Sequence, residues 1–175
     1  MKTNETVTLR YIGVVHGRHA ELEGMPIQTA GAPEEPGTLV VHPEYAPGLR
    51  DIEGFDYLIL ITHLHRAAQE RLEVVPFLDQ QSHGVYATRA PVRPNHIGLS
   101  IVKLERVDGR TLHFRGNDMV DGTPVLDIKP YVPRFDARDT QRIGWFAERI
   151  DALPQTQCTR CGYPDCAGYA QAIAR

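Results

Sequence analysis

No cysteine occurs before Cys158, no apolar run approaches the thickness of a bilayer, and positive charge is not in excess: 19 Lys and Arg stand against 22 Asp and Glu, a formal net charge of -3. Each absence excludes something. A body without cysteines is not a disulfide-stapled secreted fold and has to be held by its core. The longest apolar run, around Tyr57 to Thr62, is far below the roughly 20 residues that span a membrane. Met1 to Arg10 also lacks the apolar region of a signal peptide. The expectation is a soluble, cytoplasmic protein with no membrane partner. The charge balance excludes a surface coated in positive charge but not a local basic groove, because binding follows the distribution of charge.

Several catalytic signatures are missing too. No GxGxxG follows a strand-like run and no P-loop pattern occurs, which argues against a Rossmann fold. No serine sits in a nucleophile elbow and no body cysteine could attack a substrate, so covalent hydrolase chemistry is disfavoured.

What is present reads as β structure. With 175 residues, 42% of them hydrophobic, the chain can bury one core, with room for a short appendage. Runs rich in β-branched and aromatic residues predict strands over Thr6–Val15, Thr38–His42, Asp56–Leu64, Gly84–Thr88, Ile97–Arg106, Thr111–Asn117 and Val125–Ile128. Asp56–Leu64 is apolar enough to be expected buried on both faces. Asp108-Gly109, between two alternating runs, is a hairpin signal. Gly17–Gly37 is expected to be a long loop, Pro43–Gly54 to be rich in turns, and the KPYVPRFD run to be extended. Helices are expected only over Thr140–Ala152 and Ala167–Ala174. Short strands without regular alternation with helices predict a mainly β fold, a barrel or compact sandwich.

Four polar segments could carry chemistry: EGMPIQ (Glu23–Gln28), THLHR (Thr62–Arg66), ATRAPVRPNHIG (Ala87–Gly98) and NDMVDGTPVLDIKPY (Asn117–Tyr131). In the third, Pro91 and Pro94 stiffen the backbone that presents Arg89 and Arg93, whose forked cations suit phosphate, carboxylate or a stacked base. The alternative is that these arginines pair with Asp118, Asp121 or Asp127 and only lock loops together. A metal among those carboxylates is unforced, since their spacing matches no calcium loop. His63 and His65, two apart, would share one face of a strand. The tail, CTRCGYPDCAGYAQAIAR, spaces Cys158, Cys161 and Cys166 as thiolates suited to a cluster or zinc, or carries them as free thiols.

GVYATRAPVRPNHIG, NDMVDGTPVLDIKPYVP, the opening IGVV and HPEYAPGLRDIEGFDYLILITHLHR together resemble the TrmO, or YaeB-like, family of S-adenosylmethionine-dependent tRNA methyltransferases, from about Tyr11 to Trp145. The resemblance implies a compact β-barrel, a homodimer, and N6-methylation of threonylcarbamoyladenosine beside the tRNA anticodon. It implies S-adenosylmethionine contacts at Pro26, Ile27 and Gln28, at His65 and Arg66, at Arg89, near Leu99, and over Asn117, Asp118, Met119, Val120 and Asp121. Asp118 or Asp121 would accept the proton from the methylated nitrogen, with His65 and Tyr131 as further candidates. A dimer could assemble an RNA groove from Arg66, Arg71, Arg89, Arg93, Arg110 and Arg115 of two chains.

Two departures accompany the resemblance. The family usually reads RPNPIG where this chain has His96 in place of the second proline. The tail resembles the iron-sulfur segment of RnfB-type electron-transfer subunits, which implies an iron-sulfur cluster or zinc at Cys158, Cys161 and Cys166 and a redox partner. In that segment a fourth cysteine follows well after the third, and the sequence reaches Arg175 without one. The expected organisation is a barrel domain over 1–146 and an extension over 147–175. Alternatives that stay open are methylation of a small molecule or another RNA, and a non-catalytic sensor of S-adenosylmethionine or of redox state.

Overall fold

The computed structural model describes residues 5–148 apart from 23, 24, 27, 30, 31, 77 and 78. Six strands close into an antiparallel barrel: β1 (Gly13–His16), β2 (Pro36–Val41), β3 (Tyr57–His63), β6 (Ile97–Asp108), β7 (Thr111–Arg115) and β8 (Thr123–Pro130). Their order around the wall is β1-β2-β7-β6-β3-β8, and the short pair β4 (Glu73–Val74) and β5 (His83–Gly84) lies outside it. Alternating side chains fill the interior with Val15, Leu39, Val41, Leu58, Leu60, Val102, Leu112, Phe114 and Val125, joined by Met119 from a loop.

The register fixes which connections share an end. Val15 faces Thr123, His16 faces Thr38, and His63 faces Ile97. The connections 17–35, 64–96 and 116–122 therefore all leave from one mouth of the barrel. The connection 42–56, the tight β6–β7 turn and the exit after Pro130 lie at the other. There, short helical turns at Pro43–Leu49 and Ile52–Gly54 pack Tyr45, Leu49 and Ile52 against the core. Two clefts of about 420 Å³ flank these turns.

Several sequence expectations are met: the barrel, the long first loop, the β6–β7 hairpin with Gly109 at φ 60, and most strands. Others are corrected. Only Gly13–His16 of the Thr6–Val15 run is strand, because residues 5–11 meet no ladder and leave Val7 and Leu9 exposed. β3 is not buried on both faces: Leu58, Leu60 and Thr62 point inward, while Tyr57 is exposed and Ile59 and Ile61 are half-buried. Gly84–Thr88 is mostly a tight helical turn at Val85–Ala87, because Thr88 folds its backbone N–H and its hydroxyl back onto the Val85 carbonyl at 3.1 and 2.9 Å.

The KPYVPRFD run is not wholly extended. Pro133 opens a single helical turn, α1 (Pro133–Asp136), and the Asp136 carboxylate accepts the Val132 N–H at 2.7 Å. Within Thr140–Ala152, the described residues form only a short turn at Gly144–Glu148, since Gly144 at φ 64 interrupts any regular helix there. Residues 149–152, the helix expected at Ala167–Ala174 and all three cysteines lie outside the described residues. No helix among the described residues is long and apolar enough to cross a membrane.

Candidate functional site

The three connections at one mouth carry part of each of the four polar segments, while the fourth runs on through β8 to the far mouth. Loop 17–35 is stitched onto the turn 117–121 by backbone bonds: Asn117 N–H to Glu35 O at 3.0 Å and Asp121 N–H to His19 O at 2.8 Å. Asn117 is fully buried and closes its own turn, donating to Met119 O and accepting from Met119 N–H, both at 3.2 Å. Gly17 is required beside it, because a Cβ there would stand 2.3 Å from Asn117 Nδ2. Glu35, almost fully buried, ties the loop shut through Arg18 and a 3.4 Å approach from His19 Nε2.

Two further bonds bring the remaining segments in. Arg66 Nη1 donates to Glu21 Oε2 at 2.8 Å, and Arg89 Nη1 donates to Gln28 Oε1 at 2.7 Å. Arg89 also stands close enough to Asp118 for its charge to act on that carboxylate. Burial pushes the Asp118 carboxyl up to about 6, against the opposing pull of Ser100, the backbone of Asp118 and of Thr29, and the Arg89 charge. Ser100 Oγ donates to Asp118 Oδ1 at 2.6 Å, a length typical of a hydroxyl bonded to an ionised acceptor. The result is a desolvated carboxylate that a cationic ligand would relieve, beside a guanidinium whose partner is a neutral amide.

The structure separates residues that the sequence suggested together. Neither arginine of ATRAPVRPNHIG forms an ion pair with Asp118, Asp121 or Asp127. Arg93 Nη1 instead donates to the backbone oxygens of Thr88 and Ala90 at 2.9 and 3.3 Å and braces its own loop. Asp121 accepts from Gly17 N–H at 3.2 Å and lies 3.1 Å from His16 Nδ1, while Asp127 pairs with Lys129 on the barrel wall. His63 and His65 do not share a strand face: β3 ends at His63, and the His65 N–H turns back onto the His63 carbonyl at 2.8 Å. His63 Nδ1 instead meets Tyr11 Oη at 2.7 Å. Among the described residues no group of three His, Cys, Asp or Glu could hold a metal ion.

Pro26 is buried, His65 is exposed, and Leu99 is 50% exposed on the outer wall, while Ile27 lies outside the described residues. Tyr131 is at the far mouth, its N–H bonded to Tyr57 O at the first residue of β3, and so is not brought to the carboxylates within one chain. Arg110 is also at that far end, bonded to Val41 O at 2.7 Å, and Arg115 is spent on Glu105 at 2.8 Å. The six-arginine groove is thus not assembled on one face of a single chain. Ser100 escaped the sequence reading. Its signal was available: in the alternation of β6 it falls on the buried face with Val102, where a hydroxyl needs a partner.

His96 has a backbone reason to differ from proline. It lies at φ 48, donates its N–H to Arg93 O at 3.1 Å and accepts from Leu64 N–H at 2.7 Å. Proline is locked near φ -65° and has no N–H, so it could adopt neither that angle nor that bond.

Residues 14–137 match the family model described as the tRNA-methyltransferase O N-terminal domain, and residues 153–175 match a model described as that of a proposed Fe-S cluster. A probable S-adenosyl-L-methionine-binding protein of Pyrococcus abyssi is 46% identical over 151 residues, covering 86% of this chain and 82% of that protein. The tRNA (adenine(37)-N6)-methyltransferase of Mus musculus is 39% identical over 99 residues, 55% of this chain and 22% of its own. The crystal structure of TrmO from Pseudomonas aeruginosa matches with a TM-score of 0.68 at 36% identity, covering 81% of this chain. This chain spans 63% of the length of that solved structure.

Proposed function

The chain belongs to the TrmO family, and from that membership we propose that it is an S-adenosylmethionine-dependent methyltransferase acting on N6 of threonylcarbamoyladenosine next to the tRNA anticodon. The observation that carries this reading is the placement of Arg89, bonded to Gln28, and of the half-buried Asp118 at one mouth of the barrel. These residues suit the cofactor chemically. A carboxylate held near pKa 6 by desolvation is stabilised by a nearby cation, and the cofactor carries one on sulfur. Pro26, Ile27, Gln28, His65, Arg66, Arg89, Leu99 and the Asn117, Asp118, Met119, Val120, Asp121 turn are the residues assigned to hold it. Bound there, S-adenosylmethionine supplies an electrophilic methyl group.

The chain's own task is to place the acceptor and remove a proton. Transfer to a nitrogen needs an in-line approach, and most of the acceleration can come from positioning. The acceptor nitrogen loses its hydrogen as the new N–C bond forms, and Asp118 is assigned to receive it. In the ligand-free chain its pKa of about 6 leaves it mainly ionised at neutral pH, and so able to accept a proton. Asp121 is assigned a structural part, because its Oδ1 already serves Gly17 and His16.

Two further parts belong to the same reading. A homodimer is supported by the outward stripe Ile97, Leu99 and Ile101 of β6, exposed on the barrel wall beside the site. The extension from residue 147 is assigned an iron-sulfur cluster or zinc at Cys158, Cys161 and Cys166, with a redox partner. Mass spectrometry of tRNA from cells lacking and then regaining the protein tests the main reading. Methylated threonylcarbamoyladenosine should vanish and return, and an unchanged level refutes it. Anaerobic purification with a visible spectrum and metal analysis tests the extension, for which a colourless protein free of iron and zinc is the negative result.

A further inference from the structure

We infer that Ser100 is a positioning residue of the methyl-transfer site, its hydroxyl holding the Asp118 carboxylate in the orientation and ionised form that receive the acceptor's proton. The inference rests on the reading of Asp118 as proton acceptor and adds a part that this reading does not require. Ser100 lies on the inward face of β6, in register with Leu60 of β3, where its neighbours Leu58, Leu60 and Val102 are all buried and apolar. A hydroxyl at such a position adds nothing to apolar packing and costs desolvation unless it is bonded. The hydrogen bond the structure gives it is to Asp118 Oδ1 at 2.6 Å.

The surroundings of Asp118 explain why such a donor matters. From the 17–35 connection the Thr29 backbone reaches it, from the 64–96 connection Arg89 acts on it by charge, and from the wall Ser100 donates to it. All three favour the ionised form, while burial opposes it and dominates. Arg89 is tied to Gln28 rather than to the carboxylate, so Ser100 is the side chain that fixes where the carboxylate points. In the reaction the acceptor N–H bond breaks, the new N–C bond forms, and the proton passes to Asp118. Removing the hydroxyl should make the carboxylate hold a proton to higher pH and leave it free to rotate.

The test is the pH dependence of kcat for the full chain, with saturating S-adenosylmethionine and tRNA carrying threonylcarbamoyladenosine, for wild type, Ser100→Ala, Ser100→Thr and Asp118→Asn. The acidic limb of Ser100→Ala should move up by about one pH unit. Its rate should fall several-fold on that limb, at the pH where wild type is half-maximal, while staying within about twofold of wild type at pH 8.5, with affinity for S-adenosylhomocysteine unchanged. Ser100→Thr, which keeps the hydroxyl, should restore the wild-type limb. A loss by the same factor at every pH, or a limb that does not move, overturns the inference. Asp118→Asn tells the two ideas apart. If it keeps its rate, the assignment of Asp118 as proton acceptor has failed; if it is inactive while the Ser100→Ala limb stays put, only the role of Ser100 has failed.

Discussion

Arg89 Nη1 lies 2.7 Å from Gln28 Oε1, joining residues 61 apart in the chain and fastening the 64–96 connection to the 17–35 connection across the barrel mouth. Arg66, Arg115 and Arg18 are each matched to a carboxylate, so their charges are offset locally. The bond from Arg89 goes to a neutral amide, which orients its charge without cancelling it.

Replacing Arg89 by Ala should weaken binding of S-adenosylhomocysteine by roughly tenfold, equivalent to about 1.4 kcal/mol. Lysine should recover only part, because it keeps the charge and loses the fork. Titration calorimetry reads the affinity. Since Arg89 is exposed, the melting temperature should barely change.

Asp118 should make the free protein less stable at neutral pH than it could be. Its folded-state pKa is raised from 3.8 to about 6, so the native state holds this proton more tightly than the unfolded chain does. That contribution to stability is present below pH 3.8 and lost as pH rises through about 6. Asp118→Asn should therefore stabilise the ligand-free chain at pH 7.5 by roughly 1–3 kcal/mol. The advantage should shrink as pH falls toward 4. Thermal melts of both proteins across that range check the sign.

His96→Pro, which restores the residue usual in the family, should destabilise this chain by roughly 1–3 kcal/mol, because φ 48 and the N–H donated to Arg93 are both lost. His96→Gly should be neutral or mildly stabilising by the same backbone argument. Melting temperatures of the two variants should move apart.

Trp145 donates its indole N–H to Ala87 O at 2.8 Å and stacks on His83 with ring centroids 4.8 Å apart. Trp145→Phe keeps an aromatic, though smaller, ring and loses the bond. Amide exchange over residues 83–89 should quicken by several-fold, corresponding to about 1 kcal/mol, and read out in hydrogen-exchange mass spectrometry.

The wall of the barrel was legible because its strands follow a local rule. Thr38–His42, Asp56–Leu64 and Ile97–Arg106 are short runs rich in β-branched and apolar residues, and Asp108-Gly109 announces its own turn. The polar segments were legible as well, since proline, glycine and charge cluster there. Their meeting at one mouth was not, because it follows from the register of strands far apart in sequence. Local chemistry misled where tertiary contacts intervened. The Thr88 hydroxyl curls a β-branched run into a turn, and the end of β3 at His63 swings His65 off the strand face. Tyr131 follows its carboxylate neighbours in sequence yet ends up at the opposite mouth.

Closure of the six-stranded wall gives every strand in it a hydrogen-bonded neighbour on both sides. Another chain cannot extend this sheet by adding a strand, so any association through the wall has to be written in side chains. The geometry of such a contact would depend on a few residues such as Leu99 and Ile101, and one substitution to a charged residue there could abolish it while leaving the ladder intact.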